Sequence, residues 1–201
     1  MRSLALFLVL ACAGCGGHEG IDIAFKPAAP VAPVAGAEAV TLAVRAEDAH
    51  AGYLEPLSET PSTLGIGAAP ILADNNLALT LQRAVAQELV QRGFRVGAKG
   101  VTVEVSLRHF YNDFDTGVLA DDAVAKFDAI VTVRSRGGEL FLEQPYLAEG
   151  VERGIELPDA GNARAALVKA LAAGVQEIVD DPDFIAAIFR AQAADKAAPA
   201  S

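Results

Sequence analysis

The chain has 201 residues and carries 16 basic and 26 acidic side chains, so its net charge is −10 at neutral pH. We expect no nucleic-acid partner, because following a phosphate backbone requires clustered cations. The same charge repels anionic lipid headgroups, so any membrane attachment has to come from something other than a basic patch. The length suits one domain with flanking segments, and such a domain buries a core without metals or disulfides.

Residues 1–14 are predicted to be a lipoprotein signal peptide. Arg2 is followed by an apolar run over residues 3–11, which suits a secretory signal and is far shorter than the roughly 20 residues of a transmembrane helix. The run ends in "VLAC" and then "CAGC", which hold both cysteines of the chain. Both segments resemble the lipobox of bacterial lipoproteins, in which a cysteine thiol receives a diacylglycerol before cleavage.

Cys15 is our preferred lipidation site, and Cys12 is the alternative. Cys12 follows the better aliphatic residues, whereas Cys15 follows the better small pair, Ala13 and Gly14, and leaves a less truncated signal. Each buried methylene of the acyl chains contributes about 0.8 kcal/mol, so two or more chains anchor a protein stably. Because neither cysteine is followed by Asp, the resemblance implies an anchor in the outer membrane, facing the periplasm.

The flanks of the chain are rich in alanine and proline. Residues 15–39 contain Pro27, Pro30 and Pro33 among alanines and are predicted to form an extended tether. Residues 191–201 are predicted to be a flexible tail. We therefore expect a single α+β domain over residues 40–190.

The first half of this domain is predicted to hold one strand and one helix. Apolar residues alternate over residues 40–44, which predicts a strand. A long connection from Glu47 to Ala73 follows. Asn75 or Asn76 can then cap a helix with apolar residues at every fourth position, and Gly93 ends it.

The second half is predicted to hold three strands and a helix. Alternation predicts strands in "VTVEVSLRHFY", "AKFDAIVTVRS" and "ELFLEQPYLAEG", with a hairpin turn at "RGG". Pro145 cannot donate to a central ladder, so the last strand should lie at an edge or bend there. Asn162 can cap the next helix, and Pro182 can start a short additional one.

The element order β-α-β-β-β-α predicts a two-layer α+β sandwich. Each main helix has one apolar stripe, so both should cover one face of a four-stranded mixed sheet. The opposite face is either solvated or a partner surface. Its candidate contact residues are Glu104, Arg108, Lys126, Asp128 and Arg134.

Catalytic and metal-binding signals are weak. The three histidines are scattered, and His109 shares the parity of buried valines, so we expect a structural histidine at the rim of the core. "GIGAAP" at Gly65 lacks the third glycine of a dinucleotide loop. An acidic segment after the second strand lacks calcium-loop spacing and is interpreted as a solvated turn; its acids are Asp113, Asp115, Asp121 and Asp122. We expect no catalytic residues, metal or cofactor.

Several segments together resemble the YajG family of bacterial lipoproteins. Besides the lipobox they are "AQELVQRGFRVG", "VTVEVSLRHFYNDF", "DAIVTVRS", "YLAEGVE" and "DDPDFIAAIFR". The resemblance covers roughly residues 40–190. It implies the small α+β domain of envelope-assembly lipoproteins, with no established activity and no catalytic residues to transfer.

The expected function is that of a lipid-anchored, non-catalytic binding or accessory module facing the periplasm. It would dock a protein or an envelope polymer, with an envelope protein as the preferred partner, through the open sheet face or the connection from Glu47 to Ala73. The alternative is a carrier or chaperone for a small apolar or lipid ligand held between helices and sheet. An envelope hydrolase stands third and would require a pocket that joins His109 to a carboxylate.

Overall fold

The computed structural model describes residues 18–27, 29, 31–49, 55–61, 69–115 and 121–197. Cys12, Cys15 and Gly65 lie outside the described residues. Eight strands and three α-helices are found in the described part. In chain order they are β1 (Glu19–Ile21), β2 (Thr41–Asp48), β3 (Ser58–Thr60), β4 (Ala69–Ala73), α1 (Leu77–Gln91), β5 (Arg95–Val96), β6 (Val101–Asp115), β7 (Asp121–Arg134), β8 (Leu140–Ile155), α2 (Ala160–Asp180) and α3 (Pro182–Ala197).

The main sheet has the strand order β5-β2-β6-β7-β8. The pairs of β2 with β5 and with β6 are parallel, whereas β6-β7 and β7-β8 are antiparallel. The α+β class and the mixed sheet are therefore confirmed. The expectation of four strands and two helices is wrong, because β5 adds a fifth strand, β1-β4-β3 form a second sheet, and α3 is a full helix.

The helices cover one face of the main sheet. Every second residue of β6 and β7 faces them and is buried, as the alternation of apolar side chains predicts. These residues are Val101, Val103, Val105, Leu107, Phe110, Ala123, Ala125, Phe127, Ala129, Val131 and Val133. Within the described part of the chain, no helix combines the length and the apolar character needed to span a bilayer.

The predicted limits of α1 are confirmed, whereas those of the later helices are corrected. Asn76 caps α1 by accepting a hydrogen bond from the Leu79 N–H at 2.8 Å, and Gly93 follows with a positive φ of 92°. The cap of α2 is Asp159 rather than Asn162, whose N–H it accepts at 2.8 Å. The tail expected from residue 191 is helical up to Ala197, because α3 packs over β7 and β8.

Two glycines allow α2 to lie directly on the sheet. A Cβ on Gly150 of β8 would stand 2.2 Å from the Ala166 carbonyl oxygen, and one on Gly174 of α2 would stand 2.3 Å from the Phe127 ring. The inner face of α2 is rich in alanine, so its backbone approaches the strand closely. No carrier cavity can open between helix and sheet at these two points.

A β-bulge in β6 reverses the parity of its side chains. The register with β7 shifts between Leu107 and His109, so Arg108 and His109 are both exposed and Phe110 returns to the core. The expectation that His109 lies at the rim of the core is wrong for this reason.

The expected tether, residues 15–39, is fixed to the domain at several of the positions that the structure describes. Ile21 and Ile23 are buried in the core, and β1 pairs with β4. We call the described residues among 19–37 the strap. At its start Arg164 Nε donates to the Asp22 carbonyl at 2.8 Å, and near its end the Val34 N–H donates to the Arg92 carbonyl at 2.9 Å. The strap therefore runs from the N-terminal ends of α1 and α2 toward their C-terminal ends.

The described part of the connection from Glu47 to Ala73 includes β3 and β4. Beyond the end of β2, the Asn112 N–H donates to the Leu57 carbonyl at 2.8 Å, so this hairpin continues beside β6. Ser58 and Asn112 are buried there and hydrogen-bonded to each other, with Asn112 Nδ2 donating to Ser58 Oγ at 3.0 Å.

Arg92 joins the C-terminal ends of α1 and α2. Its guanidinium is buried and donates to Glu88 Oε2 at 2.8 Å, to Gln176 Oε1 at 3.4 Å and to Asp180. Removing one partner of a buried ion pair leaves an uncompensated charge, so this residue helps to fix α1 relative to α2.

Candidate functional site at the outer edge of β8

β8 is a 16-residue strand at the edge of the main sheet. Its inner edge pairs with β7, and no described strand pairs with its outer edge. The edge position that Pro145 predicts is confirmed. An unpaired strand edge presents main-chain donors and acceptors that another extended segment can use.

The orientation of the β8 backbone follows from one hydrogen bond. Lys169 Nζ on α2 donates to the Val151 carbonyl at 2.7 Å, which shows that this carbonyl points away from β7. Main-chain groups alternate between the two edges of an antiparallel strand, and the register with β7 is regular from Leu142 to Glu152. Glu143, Leu147 and Glu149 therefore present both an N–H and a C=O outward.

Two adjoining grooves, of about 690 and 680 Å³, lie along this edge between β8 and α2. They share Leu147, Ala173 and Glu177. Leu147 is 69 % exposed, which is the highest value among the large hydrophobic residues described. We call the two together the edge groove.

The edge groove is strongly acidic. Its lining includes one lysine, Lys126, and five carboxylates. The carboxylates are Asp128, Glu149, Glu177, Asp180 and Asp181. Such an arrangement favours a cationic ligand over an anionic one.

Tyr146 fixes β8 to the start of α3. Its hydroxyl donates to Asp181 Oδ2 at 2.6 Å, and Gln144 Nε2 donates to the same oxygen at 3.1 Å. Burial raises the pKa of Tyr146 well above 10, and the hydrogen bond to Asp181 and the charges of Asp181 and Asp183 raise it further. The phenol therefore remains a donor throughout the physiological pH range.

The five residues of the predicted partner face lie in different parts of the sheet. Lys126 and Asp128 line the edge groove, where Asp128 lies opposite His109 on one side and Leu147 on the other. Arg108 is exposed at the bulge that precedes this row. The other two predicted residues lie farther along the sheet, Glu104 opposite Thr132 and Arg134 opposite Thr102.

The sequence analysis missed Leu147, Ala173 and Glu177. A signal for Leu147 was present, because an apolar residue two positions after an edge-strand proline belongs to the same outward-pointing set. Ala173 and Glu177 could not be found in this way, because their place beside β8 depends on how closely α2 packs on Gly150.

The acidic segment lies on strands rather than in the turn that we expected. Asp113 and Asp115 belong to β6 and Asp121 and Asp122 to β7, and Asp115 pairs with Asp122 in register. Asp122 Oδ1 accepts a hydrogen bond from the Gly154 N–H at 2.9 Å. Among the described residues, no three or more His, Cys, Asp or Glu side chains are grouped so as to hold a metal.

His109 does share the edge groove with carboxylates, including Asp128. The described lining of both grooves contains no serine, threonine or cysteine that could serve as a nucleophile beside it. The arrangement suits hydrogen bonding and charge recognition.

The comparisons with known proteins agree with this fold. The crystal structure of protein XCC0632 from Xanthomonas campestris, of family DUF330, superposes with a TM-score of 0.57, covering 80 % of this chain and 92 % of that one. At 14 % identity this likeness shows a shared fold. No protein with a curated description matches the chain. The sequence profile of Lipoprotein_16, described as an uncharacterised lipoprotein, matches residues 27–188. The chain therefore belongs to this family of uncharacterised lipoproteins.

Proposed function

We propose that this chain is a lipid-anchored envelope lipoprotein of the YajG type that faces the periplasm and acts by binding, without catalysis. Its partner is an envelope protein that adds an extended, basic segment to the outer edge of β8. One observation carries the proposal: a 16-residue edge strand exposes Leu147 in an acidic groove. The family match supports the lipoprotein character.

Strand addition explains how the edge groove would recognise its partner. The outward N–H and C=O groups of Leu147 and Glu149 supply main-chain hydrogen bonds, which are independent of the partner's sequence. An apolar side chain of the partner would pack between Leu147 and Ala173. Basic side chains next to it would face Glu177 and Glu149, which provides the specificity.

Two other functions receive less support from the geometry. A carrier for an apolar ligand needs space between the helices and the sheet, where Gly150 leaves no room even for a Cβ. A hydrolase needs a nucleophile or a bound metal beside His109, and the described groove lining supplies neither serine nor cysteine. Binding at the surface of β8 is the function that fits the geometry best.

The proposed anchor is a diacylglycerol on Cys15, or on Cys12, in the outer membrane. A Cys12→Ala, Cys15→Ala double variant should leave the membrane fraction, whereas each single variant tests one cysteine. If the double variant fractionates with membranes as the wild type does, acylation is not the anchor.

The edge groove can be tested with a ten-residue peptide that alternates lysine with valine and a control peptide that alternates glutamate with valine. We expect only the lysine peptide to bind the full chain, with an affinity that decreases as salt increases. Leu147→Ala should weaken binding modestly, whereas Leu147→Pro should weaken it at least tenfold because it also removes an outward N–H.

The matched control for charge is a pair of leucines with nearly equal exposure. Leu147 is 69 % and Leu157 66 % exposed, but only Leu147 lines the edge groove. Leu147→Asp should therefore abolish binding, whereas Leu157→Asp should not. Equal loss in both variants, or equal binding by Leu147→Ala and Leu147→Pro, would contradict strand addition at β8.

A further inference from the structure

We propose that the domain stands on the bilayer with the N-terminal ends of α1 and α2 toward the lipid, held by a short N-terminal leash. This rests on the proposed acylation. The partner of this end is the lipid surface itself, and the opposite end of the sheet points into the periplasm.

The length of the leash follows from covalent geometry. Cys15 precedes Glu19, the first residue of β1, by four residues. Four residues span at most about 14 Å, and the seven from Cys12 span at most about 25 Å. An extended tether over residues 15–39 would instead have reached up to about 85 Å.

The strap cannot lengthen the leash without losing several contacts. The Asp74 N–H donates to the Ile21 carbonyl at 2.9 Å, and Asn75 bonds both main-chain groups of Ile23, at 2.9 and 2.8 Å. Ile21 and Ile23 are also buried in the core. The point of attachment is therefore fixed to the body of the domain.

The position of β1 determines which end faces the membrane. β1 lies beside β4, which leads into the start of α1, and Asp22 contacts Arg164 near the start of α2. The turn of residues 135–139 lies at the other end of β8. A strand of 16 residues is about 50 Å long, so this turn is far beyond the reach of the leash.

The fixed point of attachment also sets the height of the edge groove above the lipid. Leu147 lies eight residues, or about 25 Å, along β8 from its membrane end at Ile155.

A pair of fluorescent residues tests this orientation. A fluorescent amino acid replaces either Glu59 in β3, two strands from β1, or Gly137 in the distal turn, where the nearest atom to an added Cβ is 3.6 Å away. The acylated chain is purified from membranes and bound to phosphatidylethanolamine and phosphatidylglycerol vesicles that contain a headgroup-labelled nitroxide lipid. We expect quenching at position 59 to be at least threefold stronger than at position 137.

A lengthened leash is the matched control. Twenty glycine and serine residues inserted between Gly16 and Gly17 should leave the chain on the vesicles and bring the quenching ratio close to one. Equal quenching at both positions in the chain without the insert, while it remains bound, would overturn the orientation and leave the lipid anchor standing. Failure of the purified chain to bind the vesicles would overturn the anchor as well.

Discussion

The two edges of the main sheet are built differently. β5 consists of two residues, Arg95 and Val96, whereas β8 is a 16-residue strand. Most proteins keep edge strands short or charged, because an open edge invites pairing with other chains. β5 follows this rule. β8 departs from it with its exposed Leu147. Its outer edge is interrupted by Pro145 and by the contact of Lys169 with Val151. This difference is the observation on which the proposed strand addition at β8 depends.

The largest effect on stability is expected where α2 packs against β8. Gly150→Ala would place a Cβ 2.2 Å from both the Ala166 carbonyl oxygen and the Ala170 nitrogen. Because both neighbours are backbone atoms, α2 has to lift from β8. We expect a loss of more than about 4 kcal/mol in the free energy of unfolding, measured by urea denaturation.

The matched control lies beside β5. A Cβ on Gly97 would stand 3.4 Å from the Thr41 methyl group, which is a tolerable contact. Gly97→Ala should change the stability by less than about 0.5 kcal/mol. Equal losses in the two variants would remove the argument that the β8 edge depends on close helix packing.

A smaller, pH-dependent effect is expected at Tyr146. Tyr146→Phe removes a hydrogen bond to the charged Asp181 and should cost about 1 to 3 kcal/mol. Since the folded state raises the pKa of this phenol above 10, its stabilisation is complete below pH 10 and is lost as the pH rises above it. The difference in stability between wild type and variant should therefore shrink above pH 10.

The β5 side gives the comparison for this pH dependence. Phe94, which precedes β5, packs against Phe189 with ring centroids 5.9 Å apart, and this contact does not titrate. The stability difference between wild type and a Phe94→Leu variant should stay constant between pH 8 and 11. If the stability difference between wild type and Tyr146→Phe is also constant over that range, folding does not hold the phenol in its protonated form.

The smallest effect is expected for the lysine that covers part of the β8 edge. The Lys169 and Glu152 side chains are 52 % and 34 % exposed, so Lys169→Ala should cost less than about 1 kcal/mol. The same change uncovers the Val151 carbonyl and lengthens the open edge. Binding of the lysine-valine peptide should increase about twofold, and a decrease would place the peptide away from this edge.

The parts of the fold that rest on local patterns could be predicted from the sequence. The apolar stripe of α1, its Asn76 cap and Gly93 stop, and the alternation of β7 each depend on residues close together in the chain. The edge position of β8 followed from the missing donor of Pro145. Each of these features has a cause that is visible within a few residues.

The remaining features depend on contacts between distant residues. β1 has only three residues and owes its burial to β4 and α2, so "EGI" carried no strand signal. The bulge at His109 changes the parity of β6 without a glycine or proline to mark it. Asp159 rather than Asn162 caps α2, because the Asp159 carboxylate accepts a hydrogen bond from the Asn162 N–H. The edge groove requires α2 and β8 together, so no single segment could indicate it.

The strap also determines the order in which the chain can fold. Ile21 and Ile23 are made early, but the contact of Asp22 with Arg164 spans 142 residues. Contacts so distant in sequence form slowly, because the intervening chain has to be synthesised and ordered first. The strap is therefore completed in two stages, first when β4 and Asn75 have been made and then when α2 supplies Arg164.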